Sequence, residues 1–206
     1  MAVVTAPLLS FGARGQLGKA IVHFGWKGLS VVRTYVVPAN PQTSGQTTQR
    51  GHLTDAVALV HDAQAQGANS FGAADVTAYA LLASVFKAAQ TWFNEVCRQF
   101  VTQRVASLFG VVYRNGAVEV AAGQLTLTLN WSKDADSANN VTAGNVWYGT
   151  SKTSMVTSLA ATVAAGVITR TITGLTAGTK YYMQFRATEH ADFLGTRSGI
   201  YTGTPT

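Results

Sequence analysis

Apolar and polar residues follow three successive patterns along this chain. In the first 37 residues, apolar and β-branched residues come in short blocks: 19–26 reads KAIVHFGW and 29–37 reads LSVVRTYVV. Blocks of this kind predict two strands, and Lys27-Gly28 between them has the length and the glycine of a tight hairpin turn. Pro38 and Pro41 end the second strand, because proline has no N–H to offer a ladder. Met1 to Gly18 reads as a loose arm punctuated by Gly12, Gly15 and Gly18.

From Thr43 the spacing shifts to threes and fours. Thr43 and Gln46 match a capping box, in which hydroxyl and amide each satisfy a free backbone N–H. Leu53, Ala56, Val57 and Val60 then form an apolar stripe that Gly67 closes. Asp75 is a candidate N-cap for a further helical region. There Val76, Tyr79, Leu82, Phe86, Phe93, Val96, Phe100 and Leu108 recur at helical spacing, as one long helix or as two joined near Thr91. Such a stripe predicts core or subunit interface.

At about Gly110 the period becomes two. Leu125, Leu127, Leu129 and Trp131 alternate with Thr126, Thr128 and Asn130, so one strand face is apolar and the other polar. Segments 167–172 and 181–187 also read as strands between glycine-containing turns, and together they predict an antiparallel β-sandwich. The expected fold class is α+β. A hairpin and helical assembly domain over 1–110 precedes an all-β domain over 111–206.

Composition narrows the function. The chain has 206 residues, 47% of them hydrophobic and only 12% charged, which suits a packed core and not a disordered chain. Lys and Arg total 15 against 9 Asp and Glu, a net charge of +6. The basic residues are scattered, 8 in 1–110 and 7 in 111–206, so no nucleic-acid patch is expected. Few charges with many apolar residues fit a surface partly covered in an assembly. One cysteine, Cys97, leaves no intrachain disulfide. The opening residues lack a basic n-region, so no secretory signal is expected, and no apolar run is long enough to cross a membrane.

Candidate chemistry is thin. The three early glycines precede a strand, whereas phosphate loops precede a helix. His23, His52, His61 and His190 show no i, i+4 pair and read as separate structural or surface residues. Asp134, Asp136, Asn139 and Asn140 crowd one loop, but the EF-hand glycine and bidentate Glu are missing, so an ordinary polar loop is expected and no metal site. No nucleophile elbow is present, and Cys97 reads as a small buried residue. No catalytic residue, cofactor or enzyme activity is expected.

Two resemblances add to this reading. Segment 174–187, GLTAGTKYYMQFRA, resembles the corner between strands E and F of a fibronectin type III domain. The resemblance makes Leu175 and Tyr181 the tyrosine corner, and Tyr181, Met183, Phe185 and Ala187 the inward residues of strand F. Trp131 becomes the tryptophan ending strand B, and 146–151 (VWYGTS) strand C. The expected sandwich core is therefore Leu127, Leu129, Trp131, Leu175, Tyr181, Met183 and Phe185. The match spans 113–206, with Ala177 where the family's corner usually has proline. The first part is similar to the N-terminal region of uncharacterised tailed-phage and prophage virion proteins. The similarity lies in Trp26-Lys27-Gly28, Val32-Arg33, Pro38-Ala39-Asn40-Pro41, Thr43 and Gln49-Arg50.

The resemblances imply a non-enzymatic bacteriophage virion structural protein, foremost a capsid decoration or cement protein. It would attach through its N-terminal domain and display the immunoglobulin-like one. Implied partners are the major capsid protein or other virion proteins and sister copies in a homo-oligomer, with weak host-surface glycan binding as a further expectation. Nucleic acid and membrane are not expected partners, and the implied location is the virion, assembled in the host cytoplasm. Candidate interface residues are Trp26, Arg33, Tyr35, Asn40, Pro41, Gln49 and Arg50, aromatic residues and Arg being favoured at interface cores. A tail or neck component and a carbohydrate-binding or adhesion module are the alternatives.

Overall fold

The computed structural model describes residues 15–37, 39–40, 42–85 and 91–206. Among these residues, three helices and eleven strands in three antiparallel sheets make a mixed α+β chain. The chain divides into two units, Met1–Thr43 and Ser44–Thr206, whereas the sequence pattern placed the division at 110.

The first unit holds strands β1 (Gly15–Leu17), β2 (Ile21–Trp26) and β3 (Leu29–Thr34) in that order. Lys27 and Gly28 form the β2–β3 turn with φ of 48° and 83°. Two successive positive φ values give the type I′ twist that matches the twist of the flanking strands, and glycine removes the penalty at the second position. Gly12 and Phe86, like Pro38 and Pro41, lie outside the described residues.

The second unit opens with α1 (Ser44–Ala65), which leaves Thr43 as the residue before the helix. Its buried row is Ala56, Leu59, Val60 and Ala63. Leu53 is 50% exposed and Val57 half-buried, so the stripe begins one turn later than expected. That row belongs to one buried cluster with Val96, Cys97 and Phe100. The next helical region is two helices, α2 (Ala73–Ala83) and α3 (Trp92–Val105). Thr91 starts α3, its hydroxyl accepting from the Asn94 N–H at 3.3 Å. Asp75 is not the N-cap of α2. Gly72 holds that place, and the Asp75 carboxylate, one turn in, accepts its N–H at 2.9 Å.

Two four-stranded antiparallel sheets follow. One has the order β4 (Val111–Ala121), β5 (Gln124–Lys133), β9 (Val167–Thr173), β8 (Thr162–Ala164). The other has the order β11 (Tyr201–Gly203), β10 (Tyr181–Glu189), β6 (Ala143–Gly149), β7 (Thr157–Ala160). They share one core: Leu125, Leu127, Leu129, Ile168 and Ile172 from the first meet Val146, Met183 and Phe185 from the second. The alternation read in 125–131 thus sets which face of β5 is buried.

The helices and the sandwich belong to the same unit because they share a second core. Val112 of β4 and Ile200 are buried with Val60, Tyr79, Val96 and Phe100 of the three helices. The chain before β11 lies directly on α2, with the Ile200 N–H donating to the Ala78 carbonyl at 3.0 Å. A Cβ on Gly199 would sit 2.7 Å from the Ala78 Cβ and 2.8 Å from its carbonyl carbon, so only glycine fits this approach.

Candidate functional site

The sequence reading expects attachment through residues 1–110, and in the hairpin part of that region the register defines the faces. Phe24 opposes Val31, Val22 opposes Arg33, and Trp26 opposes Leu29. Paired residues in an antiparallel ladder point to the same side, so these six side chains share one face. Arg33 lies over the Phe24 ring at 5.2 Å and caps one end of the row. Trp26 is 59% exposed and Leu29 68% exposed. Tyr35, Val36 and Val37, just beyond β3, are exposed as well. Among the residues of 15–43 whose side chains are described, none is fully buried. Val22, Phe24 and Val31 on this face are half-buried, so its exposed apolar end lies at Trp26 and Leu29.

The candidate interface residues fall in both units. Trp26, Arg33, Tyr35 and Asn40 are exposed in the first, while Pro41 lies outside the described residues. Gln49 and Arg50 are exposed on the opening turns of α1, where no residue from Ser44 to Asp55 is fully buried. Of the expected sandwich core, Leu127, Leu129, Met183 and Phe185 are fully buried. Trp131, Leu175 and Tyr181 are partly buried and pack against that core.

Asp134 and Asp136 both pair with Arg104 of α3, the first at 3.3 Å. Asn139 and Ser137 donate to the Asp192 carboxylate at 3.0 and 2.9 Å. These bonds, Asn139's first, hold the Asp192 carboxyl below the usual carboxylate range, and nearby His190 adds to them. The polar loop therefore ties the sandwich to α3 and to the short turn Ala191–Phe193. His23 lies on β2, His52 and His61 on α1, and His190 caps that short turn. Among the described residues, no group of three His, Cys, Asp or Glu is placed to hold a metal ion, and no helix is long and apolar enough to cross a membrane. Cys97 is buried, and desolvation pushes its thiol up, away from the reactive thiolate.

Sequence reasoning missed the role of Asp75. It is 1% exposed. Its carboxylate accepts from the Asn115 and Gly116 N–H groups at 2.8 Å each and from the Tyr201 hydroxyl at 2.6 Å, as well as from Gly72. The β4–β5 register shifts between Arg114 and Ala117, and Asn115 there has φ of 52°. Such a bulge frees N–H groups from the ladder, and Asp75 takes two of them. An acidic residue at a helix start was the visible signal. Its partners 40 residues away were not. Neither a family model nor a curated protein matches this chain.

Proposed function

We propose that this chain is a non-enzymatic assembly protein of a bacteriophage particle, a capsid decoration or cement protein. It attaches through residues 1–43 and displays a fibronectin type III-like sandwich. The apolar row of Trp26, Phe24, Leu29 and Val31, exposed at Trp26 and Leu29 and half-buried at Phe24 and Val31, carries this reading. Apolar side chains left exposed on a sheet face, as those of Trp26 and Leu29 are, gain stability when another surface covers them. Aromatic residues with an adjoining Arg are the composition of interface centres.

The sandwich supports the second half of the reading. Each of its two sheets joins strands in an order that suits the module. The Tyr181 hydroxyl accepts the Thr176 N–H at 3.2 Å, five residues back, as a tyrosine corner requires.

Purified particles test the reading. The chain should be found at a copy number matching capsid subunits, and the soluble protein should bind empty shells. Trp26→Asp with Leu29→Asp should abolish binding and leave the melting of 44–206 unchanged, since both side chains are exposed. A tail-like copy number would move the protein to the tail or neck. Tight glycan binding by 111–206 without shell binding would favour the adhesion alternative.

A further inference from the structure

Two clefts of about 300 and 330 Å³ open beside each other between α2, α3 and strand β10, and they share Leu82 and Arg197. Their charge is one-sided. Arg98 comes from α3, Lys152 from the loop after β6, Arg186 from β10, and Arg197 from the chain before β11. Glu95 is the one carboxylate in either lining, and Arg98 already holds both its oxygens, at 2.6 and 2.8 Å.

Arg186 and Arg197 face each other across an antiparallel bridge. Like charges directly opposite destabilise a sheet. Burial, and then Arg197, holds the Arg186 guanidinium below its ordinary pKa. Among the described residues, no carboxylate pairs with Arg186, Arg197 or Lys152. The fork is also fixed in place. Arg186 Nε donates to the Gln184 Oε1 at 3.0 Å, and its guanidinium lies 4.9 Å from the Trp147 ring centre. Gln184 is itself buried and donates to the Ser198 carbonyl at 3.0 Å. A held cation with its charge uncompensated is the arrangement of an anion site.

The apolar part of the lining narrows the ligand class. Among the lining residues, Val85 and Met155 are half-buried, while Val156 is 77% exposed and lies at the rim. A phosphate chain gains nothing from such side chains, whereas a peptide that interleaves carboxylates with apolar residues gains from both. The occupant is not the chain's own N-terminal stretch, because residues 1–54 contain no Asp or Glu.

We propose that this cleft binds an acidic, apolar-interleaved peptide segment of a partner protein, with Arg186, Arg197 and Lys152 holding its carboxylates. Residues 44–206 thereby carry an attachment point separate from the hairpin unit. The proposal goes beyond the assembly reading and does not depend on it.

Calorimetric titration of the full chain with a short synthetic peptide of alternating Glu and Leu tests it. The peptide should bind, and added salt should weaken binding. Arg197→Glu and Lys152→Glu should each weaken binding about tenfold. Both variants alter side chains that reach solvent, and an unchanged melting curve would show that the fold is kept. Three results would overturn the proposal: no peptide binding, equal binding by the variants, or equal binding of the Gln-for-Glu peptide. Tripolyphosphate binding in place of the peptide would assign the site to phosphate instead. Shell attachment of the Trp26→Asp, Leu29→Asp variant is measured separately, so either reading can fail alone.

Discussion

Asp75 is a carboxylate removed from water and answered by hydrogen bonds alone: three backbone N–H groups and one phenol. Hydrogen bonds to an ionised acceptor are stronger than neutral ones, and each buried donor left unmade is expensive. Asp75→Ala should therefore lower stability by about 3 kcal/mol, read from urea unfolding. Beside it, Tyr79 accepts the Tyr113 N–H at 3.1 Å through its hydroxyl oxygen. Burial pushes the Tyr79 and Tyr201 hydroxyls well up from their ordinary value, and the Asp75 charge adds to both shifts. The sign follows directly. An acid whose folded pKa lies above its unfolded one contributes stability below the unfolded value and loses it as pH rises. Stability should fall above pH about 10, where the unfolded tyrosines ionise and the folded ones do not. Tyr79→Phe should make that fall shallower in unfolding curves taken at stepped pH. At this scale the sequence shows a carboxylate near a helix start, but the bulge that supplies its donors exists only after β4 and β5 pair.

At the scale of elements, local chemistry went furthest where the pattern was short-range. The Lys27-Gly28 turn, the Thr91 break between α2 and α3, and the Leu125–Leu129 alternation all follow from neighbours within a few residues. Helix α1 is the contrary case. Its apolar row was read as Leu53, Ala56, Val57 and Val60. The buried row is Ala56, Leu59, Val60 and Ala63, shifted towards the end of the helix, and Leu53 is exposed. Periodicity counts side chains as apolar or polar. Which of them is covered depends on where a second helix can approach. The same limit applies to Asp134 and Asp136, whose crowding in one loop gave no sign that Arg104 of α3 would pair with both.

For the whole molecule, the change of period near Gly110 is real, yet it does not separate two independent bodies. Both buried clusters are built from residues 56 onwards, and one of them joins all three helices to Val112 and Ile200. A fragment of residues 44–206 should therefore unfold in one transition, close to that of the full chain. A fragment of residues 44–110 should fail to fold, because it loses the strand side of its core. Circular dichroism melts of the two fragments check this. Independent folding of 44–110 would contradict it.

The sequence by itself determined the strand and helix periods, the hairpin turn, the apolar face of β5 and the lack of acidic residues before Asp55. Each of these is set by residues close together in the chain or by composition alone. Only the tertiary structure decided that the helices join the sandwich, that Asp75 holds the β4 bulge, and that Arg186 and Arg197 stand opposed in a cleft without a carboxylate partner. Those outcomes depend on groups 11 to 126 residues apart meeting in space. No local pattern encodes such meetings, because burial and hydrogen-bond geometry fix them only once the layers pack.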